Sequence, residues 1–396
     1  MELKTLSSPC KIYRAVESVT GLPASSASLT DIYVLHCKPR VVFDGRPVSH
    51  IFAKLCVSVD SLTPAILERL QPYLIEQKEG VSKQELLFKR LLYAQAEYNA
   101  YEIVKQIYYS YMCPFFPRVY GVGMRCTYKH MYKLLGPVGH NFKRNIFYSL
   151  TDNTRRPAIH VNEDSKQADV LYDPENHLRF NVLLLQYMAA PSFYELLQRS
   201  HYTEVPQLLK MLFMVGFACY ALHLNRLCHR DLHLRNVLVE PCESRLIVLI
   251  VDSKAYEMEI TEFPRVFDFD RSKERPCAQD LFQFVSYMAQ ALPVPLLQLL
   301  ASCFLKSDTN PFSNRKDRLV RYWQQPFETR STDSTRNFIV KLNTLPNVLH
   351  ALAEAAGINT VPAISPSAHV FIARPDMVGL PNVREAYFSV NRAVME

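Results

Sequence analysis

The chain has 396 residues, which at roughly 100–200 residues per domain allows two or three units or one large two-lobed unit. Hydrophobic residues make up 48% and charged residues 21%, a globular balance that excludes a disordered or fibrous chain. Lys and Arg number 45 against 38 Asp and Glu, and the net charge of +7 is scattered rather than gathered into a nucleic-acid arm, so nucleic acid is not indicated as a partner. Glycine is scarce: 10 Gly stand against 25 Pro, where average usage of about 7% would give roughly 28.

Ten cysteines lie unevenly between Cys10 and Cys303, with no C-x-x-C pair and no histidine at zinc spacing. Free thiols in a reducing, intracellular compartment are therefore expected. Nothing in Met1-Glu2-Leu3-Lys4 and the polar residues after it reads as a signal peptide. The longest apolar run, Met211 to Leu224, falls short of the ~20 residues that span a bilayer, so it is expected as a buried helix of a soluble protein with no membrane partner.

Along the chain, Lys11-Ile12-Tyr13, Asp31 to Leu35 and Ile51 to Val57 are short β-type runs separated by turn-rich breaks, the pattern of an antiparallel meander. Residues 64–111 carry apolar positions at helical spacing and predict one or two helices, ended by Pro114 and Pro117. Val119 to Met124 reads as a strand and Asn181 to Met188 as a buried one. The polar stretch 138–178 between them reads as an insertion. After Pro191 the character changes to helices over 193–200, 205–225, 279–292 and 294–305, and the proline-bearing tail from Thr360 is expected to wrap a surface. The fold class expected is α+β, with a β-rich lobe at 1–188, a helical lobe at 189–305, and an extension at 306–396 packed on the helical lobe.

The most informative stretch is Cys228-His229-Arg230-Asp231-Leu232-His233-Leu234-Arg235-Asn236, which follows a helix and runs into the apolar strand Val237-Leu238-Val239. In the pattern His-Arg-Asp-Leu-x-x-x-Asn the aspartate accepts the proton of a substrate hydroxyl, and the asparagine five residues on faces the same cleft and holds a metal ion. A second acidic site, Phe267-Asp268-Phe269-Asp270-Arg271-Ser272, is an Asp-Phe-Gly-like triplet whose first carboxylate suits Mg²⁺ and whose third residue is Asp270 instead of glycine. Upstream, Ile51-Phe52-Ala53-Lys54 reads like the strand motif Val-Ala-Ile-Lys, whose lysine neutralises α/β-phosphates and pairs with a helix glutamate. Among Glu85, Glu97 and Glu102, the best placed partner is Glu97, well inside the helix.

Over roughly residues 10–305 these residues resemble the protein-kinase-like family, and most closely its divergent members: haspin-like kinases, with Asp-Leu-His after His-Arg, and the Ser/Thr kinase-like proteins of large DNA viruses, with Asp-Phe-Asp-Arg-Ser. The resemblance implies a bilobal fold, ATP and Mg²⁺ as cofactors, and a Ser/Thr protein kinase acting on a protein substrate. Asp231 is then the catalytic base within a motif that includes Arg230, Asn236 and Asp268 are the metal ligands, and Lys54 with Glu97 positions the phosphates. It further implies a hinge at Leu185-Gln186-Tyr187-Met188-Ala189, with Leu185 as gatekeeper and the backbones of Gln186 and Met188 on adenine. Ser192 would lie near the ribose, His233 would replace the usual lysine on the γ-phosphate, and Asp280 would brace the catalytic loop. A viral origin would imply the host-cell cytoplasm or nucleus, or packaging in the virion.

Two departures stand beside the resemblance. The candidate phosphate loop, Val19-Thr20-Gly21-Leu22-Pro23-Ala24-Ser25-Ser26, offers one glycine, Gly21, where three are usual. Between Asp268 and Asp280 there is hardly room for an activation segment, and no Ala-Pro-Glu occurs there. The alternatives these leave are a small-molecule kinase of the aminoglycoside or choline type, and a pseudokinase that binds partners without transferring phosphate.

Overall fold

The computed structural model describes residues 2–3, 9–22, 30–39, 41–43, 46–61, 82–135, 159–161, 168–170, 178–202, 204–275, 279–306, 314–326, 330, 338, 342–362 and 364–373. The chain divides into two compact units, Met1–Glu102 with Arg118–Tyr187, and Ile103–Pro117 with Met188–Glu396.

The first unit is built on a five-stranded antiparallel sheet of β1 (Val16–Leu22), β2 (Thr30–Cys37), β3 (His50–Val57), β4 (Val119–Thr127) and β5 (Arg179–Gln186), in the order β1-β2-β3-β5-β4. Interior strand β5 is buried from Phe180 to Leu185, an apolar run interrupted only by Asn181, whose amide bonds Arg125 N–H and Gln95. The core gathers Tyr33, Leu35, Ile51, Leu55, Phe180 and Val182. Helix α1 (Lys83–Tyr109) buries Leu91, Ala94, Tyr98 and Tyr101, a three-and-four spacing that makes one continuous apolar stripe. A short helix, α2 (Tyr128–Leu135), follows β4.

Lys11-Ile12-Tyr13 is not a strand: it lies in a 3-10 helix, Pro9–Arg14. Ile12 and Ala15 are the buried positions there, a period of three where a strand requires two. Of the polar insertion at 138–178, the described residues include the two-stranded pair Ile159–Val161 and Ala168–Val170. The first part of the expected helical stretch, 64–81, lies outside the described residues, as do positions 23–26 of the candidate phosphate loop.

The second unit contains α3 (Phe193–Gln198), α4 (Val205–Leu224), α5 (Asp280–Met288), α6 (Val294–Phe304), α7 (Arg315–Gln324) and α8 (Leu345–Ala355). The apolar run ending at Leu224 belongs to α4, which at 20 residues is long and apolar enough to cross a membrane by length and composition, contrary to the shorter estimate from Met211. Its residues from Met211 to Leu222 are buried in this unit, where they form the central core. Gly216 permits the approach of α8 and α5: a Cβ there would stand 2.6 Å from Leu349 Cδ2 and 2.9 Å from Leu281 Cδ2.

This unit also carries a four-stranded sheet that the sequence shows only at its start. Strands β6 (Val237–Val251) and β7 (Lys254–Val266) form a long hairpin, flanked by β8 (Asn359–Thr360) on β7 and β9 (His369–Ile372) on β6. The pairing is irregular between Pro241 and Arg245, where proline cannot donate to the ladder. Parts of the tail from Thr360 are thus sheet strands. A β-rich unit and a predominantly helical one make the α+β arrangement expected from the sequence.

The shortage of glycine has a structural counterpart. Among the described residues, three helices end in the same double hydrogen-bonded turn with a non-glycine residue in the left-handed region. These residues are Tyr111 after α1 (φ 56), Ser200 after α3 (φ 53) and Arg226 after α4 (φ 58). In each, the next residue reaches back five positions, as Met112 N–H does to the Ile107 carbonyl, His201 to Leu196 and Leu227 to Leu222. Among the described residues, the matching turn after α8 uses glycine, Gly357 at φ 68.

Cys126 and Cys228 are each in a disulfide, so the expectation of thiols throughout does not hold for them. Cys37, Cys56, Cys113, Cys219, Cys242 and Cys303 are free.

Candidate functional site

In the first unit, β3 places Lys54 between Ile32 of β2 and Leu183 of β5. Its Nζ meets Glu97 Oε1 at 2.7 Å, with the two side chains 12% and 2% exposed. A lysine and a glutamate 43 residues apart are therefore brought together by the packing of α1, while Glu85 and Glu102 are exposed. The neighbouring Tyr98 donates its hydroxyl to the Lys54 carbonyl at 3.0 Å. Burial, then Cys56 and Glu97, pushes the Tyr98 phenol up, so it stays a donor.

Gly21 is buried in β1 opposite Tyr33. Gln186 ends β5 with its backbone N–H on the Arg118 carbonyl at 2.8 Å and its side-chain oxygen accepting from Arg118 N–H at 3.3 Å. After it the chain runs in irregular backbone through the remaining hinge residues to Ala190.

In the second unit, Met188 is half-buried and Ser192 is the N-cap of α3. The Ser192 hydroxyl donates to Glu195 Oε2 at 2.9 Å and accepts from Glu195 N–H at 3.3 Å, a capping box. The Ser192 backbone N–H, on Glu195 Oε2 at 2.7 Å, and then the Ser192 hydroxyl hold the Glu195 carboxyl below the usual range.

The segment His229–Asn236 is fastened from three sides. Asp280, at the first turn of α5 and 2% exposed, accepts the backbone N–H of His229 at 2.8 Å and of Arg230 at 2.9 Å. His229 is fully buried, and its Nε2–H donates to the Phe267 carbonyl at 2.9 Å, since a carbonyl can only accept. Buried Asn236 donates Nδ2–H to the Asp231 carbonyl at 3.0 Å, and the Asn236 carbonyl accepts from Phe267 N–H at 3.1 Å. The ring of Phe269 packs on His229 with centroids 4.7 Å apart. The His233 ring lies edge-on to Tyr287 at 6.0 Å.

Arg230 and Asp268 take φ values of 66° and 65°. Left-handed backbone costs an ordinary L-residue roughly 1–2 kcal/mol, and here it is held by the surrounding hydrogen bonds, as at other sites that aim functional groups.

With Nδ2 of Asn236 committed to Asp231, its amide oxygen remains to accept, and Asp268 carries a carboxylate; both are hard oxygens of the kind Mg²⁺ takes. No group of three or more His, Cys, Asp or Glu gathers among the described residues, and Mg²⁺ bound with nucleotide phosphates needs only one or two carboxylates.

One residue escaped the sequence reading. Arg271 pairs with Asp231, Nε to Oδ2 at 3.4 Å. Cys228 and Lys273 form an antiparallel bridge, N–H to carbonyl in both directions at 2.8 and 2.9 Å, which lays the segment after Asp268 alongside the loop. The signal available was Arg271 directly after the acidic triplet.

A family model described as protein tyrosine and serine/threonine kinase matches residues 171–256, an interval that holds β5, the loop His229–Asn236 and all of β6. No curated protein matches the chain. Over this part of its length the chain carries a protein-kinase-like domain.

Proposed function

We propose that the protein is an ATP-dependent Ser/Thr protein kinase. The observation that carries this is the bracing of the loop around Asp231: two backbone N–H groups on Asp280 and the Asn236 amide on the Asp231 carbonyl. Such fastening fixes a carboxylate for proton acceptance, and phosphoryl transfer depends mostly on positioning and charge neutralisation.

In this reading Asp231 accepts the proton of the acceptor hydroxyl as it attacks the γ-phosphorus of ATP, and ADP leaves. Asn236 and Asp268 hold Mg²⁺, which supplies charge neutralisation on the phosphates. Lys54, kept in place by Glu97, bonds the α/β-phosphates, and His233 stands for the usual lysine at the γ-phosphate. The backbones of Gln186 and Met188 receive adenine. Ser192, whose hydroxyl and backbone N–H are both engaged with Glu195, stands near the ribose, and Gly21, near the end of β1, contributes its backbone to the phosphate site.

Purified protein with Mg²⁺ and γ-labelled ATP is expected to label itself or an added Ser/Thr protein, and Asp231→Asn is expected to remove the label. Undiminished labelling by that variant would overturn the assignment.

A further inference from the structure

The Cys228–Lys273 bridge brings together basic residues that the phosphotransfer reading does not use. Two positions on from the bridge on either side stand Arg230 and Arg271, and beyond it lies Arg275; with Lys273 itself, all are exposed. Among the described residues Arg230, Lys273 and Arg275 have no ion-pair partner, and Arg271 has only Asp231. Glu274 is the sole acidic residue within Arg271–Arg275.

The Arg271 contact is a weak one. Its side chain is 59% exposed, the pair is separated by 3.4 Å, and solvent screens it. Tyr287 is adjacent to both partners, its phenol pushed up by burial and further by Asp231, with Arg271 opposing. Arg271 therefore sits over the carboxylate that an acceptor hydroxyl must reach, with further positive charge beside it.

We infer that Arg271 selects acceptors whose hydroxyl lies in an acidic segment. An anionic side chain next to the acceptor residue takes the guanidinium, and the Asp231 carboxylate is released to the hydroxyl. Arg230, Lys273 and Arg275 receive the remaining negative charge. A basic segment meets like charge and leaves Arg271 on Asp231. The inference names the substrate class of the site proposed above and rests on that reading.

The test separates binding from transfer. Two fluorescein-labelled peptides, one with Asp and Glu flanking a central alanine and the other with Lys and Arg, are titrated with the full chain without nucleotide, and anisotropy is followed. The acidic peptide is expected to bind about tenfold tighter, with the preference shrinking as salt rises. Arg271→Glu is expected to invert the preference, a gain that a misfolded variant does not produce, and Arg275→Glu to reduce it. Equal or tighter binding of the basic peptide by the wild-type chain, or an unchanged preference in Arg271→Glu, overturns the inference. Serine versions of the peptides with labelled ATP report on transfer: selective acidic binding without transfer refutes the kinase reading and leaves the binding specificity standing. Transfer without acidic preference does the opposite.

Discussion

The Asp280 carboxylate accepts the backbone N–H of His229 at 2.8 Å, and its other oxygen takes the N–H of Arg230 at 2.9 Å. The bonds join the start of α5 to a loop about 50 residues earlier, and the bond to His229 is buried from water. Arg230 holds left-handed backbone, so the carboxylate also offsets local strain.

Asp280→Asn should therefore destabilise the protein by about 2 kcal/mol, because the amide can accept only through one oxygen and leaves a buried N–H unsatisfied. Denaturant melts would show a lower midpoint at unchanged slope. Phosphate transfer should fall more than ATP affinity does, since the loop loses its position.

Lys54 and Glu97 form a largely buried pair, and removing the lysine takes its ammonium away from a carboxylate that is 2% exposed. Lys54→Met should cost about 3–5 kcal/mol. The double variant Lys54→Met with Glu97→Leu should recover part of that loss, because no buried charge remains. A double-mutant cycle by thermal melting checks this, and both variants should lose ATP affinity.

The chain ends three helices with non-glycine residues in left-handed backbone, and Arg226 after α4 is exposed. Arg226→Gly should stabilise the protein by about 1 kcal/mol, the cost of that conformation for a residue with a Cβ less the added entropy of the unfolded chain. Ser200→Gly should act in the same direction. A raised thermal midpoint in both is the expected result, and a lowered one would show that the turns carry no strain.

His350 on α8 has its ring Nδ1 at 2.6 Å from the Tyr256 hydroxyl and its Nε2 at 3.8 Å from Asp252. Burial and then Lys254 lower its pKa, while Asp252 opposes. His369 on β9 is likewise lowered, by burial and then Arg245. The unfolded chain thus binds protons more readily than the folded one at these positions. Stability should be full above the unfolded value of about 6.5 and decline as pH falls below it, until the folded values are passed. Melting temperatures between pH 7.5 and 5.5 should fall less steeply in a His350→Gln, His369→Gln variant than in the parent chain.

The sequence carried the loop His229–Asn236 as a break between the apolar helix before it and the apolar strand after it, and it carried the Lys54–Glu97 contact because a strand motif and a helix interior constrain where each can lie. It did not carry the length of the β6–β7 hairpin: Pro241 to Arg245 is polar and turn-like, and only pairing with β7 across an irregularity keeps it in the sheet. The strand expected at Lys11 to Tyr13 was too short for alternation to be told from a period of three. The Arg271–Asp231 pair and the bonded state of Cys126 and Cys228 depend on segments distant in sequence, which no local pattern records.

The role of Asp231 is the claim on which the rest depends, and the most direct measurement is γ-phosphate transfer by Asp231→Asn beside its affinity for Mg²⁺-ATP measured by calorimetry. A general base contributes about 10²–10⁴-fold to rate. The account predicts a loss of transfer in that range with nucleotide affinity retained. Transfer at the wild-type rate in the variant would contradict it.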